Sequence, residues 1–324
     1  MSDDGIAAFR PAPGTAHPHV QTVLAHVLRR RTPPPCVRVS LATPDGDHVE
    51  VTRLRAPRGA PTIVVVHGLE GSPSSGYVVE IMHGAAARGI GVAAIACRGC
   101  GRRGHRVARS YHAGETGDLG LVLAQLARDP DVGTLGAVGV SLGGSIVLGH
   151  LAEAGDTSPL TAAVAISVPF DLAAAARALD TGRGMTTIYR RRFLTSLHAK
   201  AASRAVEYPG TAWADAPGPG AGLVAFDDRV VAPVHGFAGA ADYYARCSAG
   251  PRLAAVRRPT LLVSSADDPL VPAHTFPAAA IAGNPALRGV LTTHGGHAGF
   301  VAGTVRRPRF WAEETALDFL RLLG

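Results

Sequence analysis

A serine flanked by glycines near the middle of the chain has the sequence context of a catalytic nucleophile. Ser141 is the central residue of Gly139-Val140-Ser141-Leu142-Gly143, a GxSxG pattern. Residues 135–140 form a short apolar run typical of a strand, and residues 145–153 have the pattern of a buried helix. At such a strand-to-helix turn the pattern predicts a nucleophile elbow, with the serine oxygen exposed for attack on a carbonyl carbon. The alternative is a glycine-rich turn with an incidental serine. Residues elsewhere in the chain must decide between these two interpretations.

A serine nucleophile needs a histidine base, and the histidine needs a carboxylate to orient it. With a GxSxG elbow, the acid and then the histidine follow the serine along the chain, each after a late strand. Residues 260–265 have the pattern of such a strand and lead into Asp267 and Asp268. We expect Asp268 to be the acid, because an Asp, any residue, two apolar residues and Pro occupy residues 268–272. Asp267 is the alternative. If Asp268 is the acid, we expect Asp267 to hold the loop.

The candidate base lies after the next predicted strand, residues 290–293. That strand leads into His294-Gly295-Gly296-His297. We expect His297 to be the base, because the two glycines before it allow the loop to fold back over the serine. His294 is the alternative, and its other interpretation is a structural histidine at the strand end. A metal site made by these two histidines is not expected, since no acidic ligands accompany them.

Two backbone amides are candidates for an oxyanion hole. One belongs to Leu142, the residue after the serine, and it opens the predicted helix. The other should come from the loop after the first central strand, where a β-branched run at residues 62–66 leads into His67-Gly68-Leu69. We therefore expect the amides of Leu142 and Leu69 to face the developing oxyanion.

Strands and helices alternate along most of the chain. Predicted strands occupy residues 37–42, 49–54, 62–66, 91–96, 135–140, 161–168, 260–265 and 290–293, and predicted helices occupy residues 77–88, 115–127, 145–153 and 310–323. The first two strands flank a turn signal and predict a hairpin. The later alternation predicts a mostly parallel twisted sheet with helices on both faces.

The alternation stops between residues 171 and 250, where helical stretches with scattered arginines predict an insertion over the sheet. We expect an N-terminal extension at 1–35, a core formed by 36–170 and 251–324, and a helical cap at 171–250. The cap contains Arg183, Arg190, Arg191 and Arg192, which either bind an anionic head group or, as we prefer, form a solvated helix face.

The N-terminal extension contains a predicted helix at residues 17–31. Five apolar residues share one of its faces, namely Val20, Val23, Leu24, Val27 and Leu28. Such a helix either lies on an anionic membrane or packs on the body of the protein. We prefer packing, because five apolar positions are an ordinary core stripe.

Composition excludes several classes of function. The net charge of +7 comes almost entirely from scattered arginines, with no nucleic-acid motif, so no nucleic-acid partner is expected. Four cysteines are too few for a disulfide framework, and the CxxC pair Cys97 and Cys100 lacks the second pair of a zinc site, so we expect a structural loop. With no signal-peptide core and no apolar run of ~20 residues, we expect a soluble cytoplasmic protein without a stable membrane anchor. Transient contact with a lipid surface and any oligomeric state remain open.

The combination of motifs resembles the YheT-like branch of the α/β-hydrolases, relatives of the eukaryotic abhydrolase-domain esterases and lipases. The likeness extends over most of the chain and is carried by HPHVQT from His17, HGLEGS from His67, RGC from Arg98, YHAGET from Tyr111, GVSLGG from Gly139, VPFDL from Val168, FDDRVVAPVHGF from Phe226, ADDPLVP from Ala266 and HGGHAGF from His294.

The resemblance implies an α/β-hydrolase fold with a helical cap and a serine hydrolase that uses Ser141, Asp268 and His297. Its expected substrates are small-molecule carboxylic esters, from short or medium acyl esters to acylglycerols, and neither a cofactor nor a metal is expected. The alternatives are a thioesterase or acyltransferase on the same fold, or a binding protein without catalysis. The absence of an HxxxxD motif weighs against acyl transfer.

Overall fold

The computed structural model describes residues 6–218 and 220–321. Its main sheet has eight strands in the order β1-β2-β4-β3-β5-β6-β7-β8, and a separate hairpin pairs β9 with β10. The strands are β1 (Val37–Ala42), β2 (His48–Leu54), β3 (Ala60–Val66), β4 (Gly91–Ala96), β5 (Val132–Val140), β6 (Leu160–Ile166), β7 (Thr260–Ser265), β8 (Leu287–Thr292), β9 (Val301–Thr304) and β10 (Arg307–Phe310). The predicted N-terminal hairpin is confirmed, since β1 pairs with β2 in antiparallel fashion.

Strand β2 is also antiparallel to β4, and every later neighbour in the main sheet is parallel. Parallel strands end at the same edge of a sheet, so the loops after β3, β5, β7 and β8 gather there. The register illustrates this, because Val66 at the end of β3 pairs with Gly139 near the end of β5.

The α-helices follow the predicted alternation and add an inserted group between β6 and β7. They are α1 (Pro18–Leu28), α2 (Gly76–Ala86), α3 (Gly117–Ala127), α4 (Leu142–Ala154), α5 (Leu172–Thr181), α6 (Met185–Glu207), α7 (Leu223–Phe226), α8 (Ala232–Val234), α9 (Ala240–Cys247), α10 (Ala278–Gly283) and α11 (Trp311–Arg321). A π-helical turn, Asp227–Val231, joins α7 to α8. The predicted last residues of α11, 322 and 323, lie outside the described residues.

Helices cover both faces of the sheet, as predicted. One face buries Leu123 of α3 and Leu148 of α4 against the strands. The other buries Met82 of α2 and Leu317 of α11. Continuous apolar strands such as β3 and β6 are typical of a sheet covered on both sides, because neither face of such a strand meets water.

Helix α1 is confirmed, but its predicted buried face is only partly right: Leu24 and Leu28 pack against the core, and the three valines do not. Val20, Val23 and Val27 are each about two-fifths exposed, whereas Gln21 and Ala25 are fully buried. Gln21 explains the difference, because its side-chain amide bonds to both backbone groups of Val301 in β9. Polar contacts, together with the small Ala25, therefore set the rotation of the helix. Each helix within the described residues is too short or too polar to span a bilayer.

Candidate active site

Ser141 lies on a sharp turn between β5 and α4. Its φ of 54° is in the left-handed region that non-glycine residues rarely adopt. The turn needs its glycines, because a Cβ at Gly143 would lie 2.2 Å from the carbonyl oxygen of Val66 in β3. A Cβ at Gly139 would lie 2.5 Å from the carbonyl oxygen of Gly143. The serine thus has the strained backbone predicted for a nucleophile elbow.

Ser141, His297 and Asp268 form a continuous chain of polar contacts. The Oγ atom of Ser141 lies 3.0 Å from Nε2 of His297, and Nδ1 of His297 lies 2.8 Å from Oδ2 of Asp268. If Nδ1 donates to the carboxylate, Nε2 is left free to accept the serine proton. The structure therefore brings together three residues that the sequence analysis selected from segments far apart in the chain.

The Asp268 carboxylate is held on its other side by the backbone. Its Oδ1 accepts hydrogen bonds from the amides of Leu270 and Val271, at 2.8 and 3.0 Å. Both amides belong to the segment whose pattern favoured Asp268 as the acid. Because two N–H donors fix one carboxylate oxygen, the other oxygen faces His297 in a defined position.

The alternative residues form a second acid–histidine pair, and neither residue is hydrogen-bonded to Ser141 in the described part of the chain. Asp267 Oδ1 accepts a hydrogen bond from the amide of Gly296 at 2.9 Å, and its Oδ2 lies 3.4 Å from Nδ1 of His294. The His294 side chain is 44% exposed, whereas that of His297 is 13% exposed. Asp267 therefore holds the histidine loop in place.

The two candidate oxyanion amides lie on either side of Ser141. Leu142 is the first residue of α4, and the amides of the first helical turn have no carbonyl acceptor within the helix. The Leu69 amide donates to no acceptor within residues 6–218 and 220–321. Gly68 lies directly against the serine, since a Cβ there would be 3.1 Å from Cβ of Ser141. A carbonyl oxygen beside Ser141 thus has two uncommitted donors within the same turn region.

Buried polar side chains that the sequence analysis did not select hold the loop after β3. Nδ1 of His67 lies 2.8 Å from the carbonyl oxygen of Gly68, and Nε2 accepts from the amide of Cys97 at 3.1 Å. Burial lowers the pKa of His67 to about 4, so the ring is neutral at pH 7. The amides of Gly68 and Glu70 donate to the hydroxyls of Tyr77 and Tyr111, respectively.

Helix α1 fastens the loop that carries His297. The amide of His297 donates to Oγ1 of Thr22 at 2.9 Å, and Arg29 donates to the carbonyl oxygens of Ala298 and Gly299. The loop is strained, with positive φ at Ala298 and at Phe300. A strained loop keeps its shape only when its surroundings fix it, and α1 supplies these contacts. The HPHVQT motif contains Thr22, but the sequence alone did not indicate its partner.

Replacing Thr22 by valine is expected to lower kcat by about tenfold with a small change in KM. Valine has nearly the shape of threonine but cannot accept the hydrogen bond from the His297 amide, and an unpaired buried N–H costs roughly 1–3 kcal/mol. Steady-state kinetics on an activated ester measures the effect. Thr22→Ser keeps the hydroxyl and should retain most of kcat. Equal losses in both variants would contradict a role for this hydrogen bond.

A largely apolar cavity opens above Ser141. It has about 970 Å³ of free space, part of it open to solvent. Its walls come from the loops of the sheet and from the inserted helices, including Leu172, Leu179, Phe193 and Phe226. Within the described residues, no arginine is among those that line it. The predicted insertion therefore covers the candidate nucleophile, and the cap arginines lie elsewhere.

An ion pair joins the cap to the loop after β3 at the rim of this cavity. Lys200 of α6, the single lysine of the chain, contacts the carboxylate of Glu70, as does the hydroxyl of Ser196. Glu70 follows the candidate oxyanion residue Leu69 and has a φ of 54°. The ion pair thus links the position of α6 to the conformation of the oxyanion loop.

Asp227 is a buried acid in the cavity wall, placed by the π-helical turn after α7. Its Oδ2 accepts a hydrogen bond from the hydroxyl of Tyr244 at 2.7 Å. Burial raises its pKa from 3.8 to about 7. The unfolded chain therefore loses this proton at lower pH than the folded protein. Stability from the neutral acid is present below the unfolded pKa of 3.8 and is lost as pH rises through about 7.

Asp227→Asn is consequently expected to gain stability relative to wild type as pH rises from about 5 to about 8.5. The amide keeps an acceptor for Tyr244 and carries no buried charge. Denaturant unfolding of both proteins at the two pH values measures the difference. Asp215→Asn, which changes an exposed acid of the insertion, is the matched control and should show no such trend. A pH-independent difference for Asp227→Asn would contradict the prediction.

One group of residues outside this cavity has the composition of a metal site. Asp47, His48 and His105 place three ligand atoms within 4.8 Å of one another. Both imidazole Nδ1 atoms already contact the Asp47 carboxylate, at 3.1 and 3.0 Å, and the Arg98 guanidinium lies 3.6 Å from it. Because two imidazoles and the backbone amide of Arg106 already contact this carboxylate, we interpret the group as a hydrogen-bond network that holds the loop after β4.

The eight-stranded sheet, the strained serine elbow and the acid and histidine loops after β7 and β8 define an α/β-hydrolase. Residues 61–304 match the family described as alpha/beta hydrolase fold. The chain is 37% identical to YheT of Escherichia coli (strain K12), a protein whose name proposes esterase activity, over 97% of this chain and 93% of that protein. It therefore belongs to the α/β-hydrolase family and, within it, to the YheT-like group.

Other relatives are more distant. The phospholipase ABHD3 of Homo sapiens is 27% identical over 81% of this chain, an alignment that covers 64% of the human protein. Among solved structures, the esterase Pf2001 of Pyrococcus furiosus superimposes with a TM-score of 0.57 and 14% identity, covering 98% of this chain and 99% of that chain. This structural likeness supports the fold.

Proposed function

We propose that the protein is a carboxylic ester hydrolase that acts through a Ser141–His297–Asp268 triad and an acyl-enzyme. The observation that carries this proposal is the unbroken series of contacts from Ser141 Oγ through His297 to Asp268 Oδ2, at 3.0 and 2.8 Å. The neighbouring Asp267 and His294 make a similar pair, but that pair lacks a nucleophile. In this proposal, residues 171–250 act as the cap over the site.

The first half-reaction forms the acyl-enzyme. Ser141 Oγ attacks the ester carbonyl carbon as its proton passes to His297 Nε2, and Asp268 stabilises the resulting imidazolium. The amides of Leu69 and Leu142 donate to the carbonyl oxygen, which gains negative charge in the tetrahedral intermediate. The bond to the alcohol oxygen then breaks, and His297 gives its proton to the leaving alcohol.

The second half-reaction releases the acid. His297 removes a proton from water, and the hydroxide attacks the acyl carbon while the same amides hold the oxyanion. The bond from carbon to Ser141 Oγ breaks, and His297 returns the proton to the serine. Acid, alcohol and free enzyme result, so the cycle balances without an oxidant, a reductant or a cofactor.

The cavity supports an ester with an apolar chain. Leucine and phenylalanine side chains of the inserted helices form much of its apolar lining. Each methylene that enters can contribute up to about 0.8 kcal/mol. Relatives named as an esterase and as a phospholipase are compatible with substrates of this kind. A cytoplasmic location remains a prediction from the sequence.

The test is turnover of p-nitrophenyl esters from acetate to decanoate, with the matching thioesters measured in parallel. We expect kcat/KM to rise with acyl length until the cavity is full, because each added methylene leaves water. Oxygen esters should be hydrolysed at least as fast as thioesters. A folded protein that turns over thioesters alone would identify a thioesterase. One that turns over neither class and does not react with a fluorophosphonate would refute the proposed hydrolase.

A further inference from the structure

The wall of the cavity above Ser141 is largely apolar. One group of polar residues in this wall is not part of the proposed triad. It is formed by Asp227 on the π-helical turn, together with Tyr243 and Tyr244 of α9. Asp227 is 9% exposed and Tyr244 is 6% exposed. We call these three residues the polar corner. The polar corner belongs to the inserted segment, whereas the triad residues belong to loops of the main sheet.

One oxygen of Asp227 is committed and the other is not. Oδ2 accepts the hydrogen bond from Tyr244, whereas Oδ1 accepts none from residues 6–218 and 220–321. A buried acid that served only to hold Tyr244 would need a single acceptor. A polar atom left without a partner in an apolar wall costs free energy unless water or a ligand supplies one. Because Asp227 lines the cavity, a polar group of a bound ligand can serve as that partner.

Tyr243 adds a second hydrogen-bonding group to the same cavity wall. Its hydroxyl accepts a hydrogen bond from the amide of Ala113 at 3.0 Å, and its own proton has no acceptor in the described part of the chain. It is close enough to Asp227 for the carboxylate to contribute to a raised pKa of Tyr243, although burial is the larger cause. The corner therefore offers two hydrogen-bonding groups without a protein partner, Oδ1 of Asp227 and the hydroxyl proton of Tyr243.

The chemistry of the corner favours a hydroxyl over an ammonium group. A hydroxyl both donates and accepts one hydrogen bond, which matches the two free positions. An ammonium ion would require an ionised carboxylate, and burial raises the pKa of Asp227 to about 7. The cation would also lose its hydration in an apolar wall. A neutral hydroxyl requires neither an ionised Asp227 nor the dehydration of a cation.

We propose that Asp227, held by Tyr244, forms a subsite that binds a hydroxyl group carried by the ester substrate. The hydroxyl forms a hydrogen bond with Oδ1 of Asp227, while the apolar walls contact the carbon chain. This inference rests on the proposed ester hydrolysis and specifies its substrate class. The enzyme then prefers hydroxylated esters over plain esters of the same length, because a plain chain leaves the acid without a partner.

The experiment compares plain esters with esters that carry one hydroxyl, moved stepwise along the acyl chain in one set and along the alcohol in another. The proteins are wild type and the double variant Asp227→Leu/Tyr244→Phe. Replacing both partners of a buried hydrogen bond by apolar groups of similar shape keeps the packing and leaves no unpaired partner. The measured quantity is the ratio of kcat/KM for each hydroxylated ester to that for its plain counterpart.

For at least one hydroxyl position, this ratio should be roughly tenfold or more higher in wild type than in the double variant. The same ratio in both proteins at every position would overturn the subsite. A preference of wild type for an ammonium-bearing ester over the matching hydroxylated ester would overturn the hydroxyl assignment. Because the plain ester is an internal reference, a general loss of activity cannot be mistaken for a loss of selectivity.

A binding measurement separates the subsite from the proposed catalysis. Titration calorimetry with uncleaved esters uses Ser141→Ala, with and without the double substitution. Tighter binding of a hydroxylated ester that is lost on substituting Asp227 and Tyr244 supports the subsite even if wild type hydrolyses nothing. Equal affinities for plain and hydroxylated esters across both sets would refute it. If the double variant does not fold, Asp227→Ala, which also removes both carboxylate oxygens, serves in its place and should shift the selectivity ratio in the same direction.

Discussion

Ser141→Ala is expected to lower kcat for ester hydrolysis by about six powers of ten, to near the background rate. The variant removes the atom that attacks the ester, and neither His297 nor Asp268 can replace it as nucleophile in the observed geometry. The loss should appear in kcat at every acyl length, because the side chain is needed for the chemical step. Turnover of p-nitrophenyl esters and covalent labelling by a fluorophosphonate should disappear together.

Ser203→Ala is the matched control for this experiment. Ser203 is an exposed residue of α6 in the same insertion, and its hydroxyl donates a hydrogen bond to Glu207. Its replacement should leave labelling and turnover within about twofold of wild type. Circular dichroism should show equal folding of both variants. If Ser141→Ala kept labelling or turnover within tenfold of wild type, the nucleophile would be another residue and the triad would be wrong.

The elbow was predictable because its determinants are local. Strand, turn and helix follow one another within about twenty residues around Ser141, and close packing explains why Gly139 and Gly143 are required. The acid and the histidine were also accessible from the sequence, since each follows a strand pattern. Choosing between neighbours such as Asp267 and Asp268 relied on the apolar pattern at 270–272, whose backbone amides hold Asp268.

The supports of the site were not predictable, because they are non-local. Thr22 lies 275 positions before His297, and no periodicity in the sequence connects the two. The rotation of α1 was mispredicted for the same reason. Apolar periodicity favoured a face that includes three exposed valines, whereas two hydrogen bonds between Gln21 and the backbone of Val301 in β9 turn Gln21 inward. The β9–β10 hairpin was missed because its strands have four residues each, too few to establish an alternating pattern.

The pairing and protonation of the acids and histidines in the site also depend on the assembled fold. Two acid–histidine pairs lie next to each other, and only distances show that His297 Nε2 approaches Ser141. The same limit applies to Asp227, which belongs to a quoted motif but gains its raised pKa from burial in the assembled fold. The sequence can thus nominate titratable residues, while their protonation is decided by neighbours from other elements.

Asp268→Asn is expected to lower kcat by about four powers of ten, whereas Asp267→Asn should stay within about tenfold of wild type. An asparagine at 268 can still accept from Leu270 and Val271 through its oxygen. Its NH₂ group then faces His297 Nδ1 and donates to it, which leaves the proton on Nε2. That tautomer cannot take the proton of Ser141, so the geometry survives while the base is lost.

At position 267 the same change keeps the acceptor for the Gly296 amide, because the side-chain oxygen remains. The two variants are therefore matched in size, charge change and position, and they differ only in which histidine the carboxylate contacts. Steady-state kinetics on one ester, with unfolding midpoints to confirm folding, separates them. A larger loss in Asp267→Asn than in Asp268→Asn would reverse the assignment and make the Asp267–His294 pair the one that must reach the nucleophile during turnover.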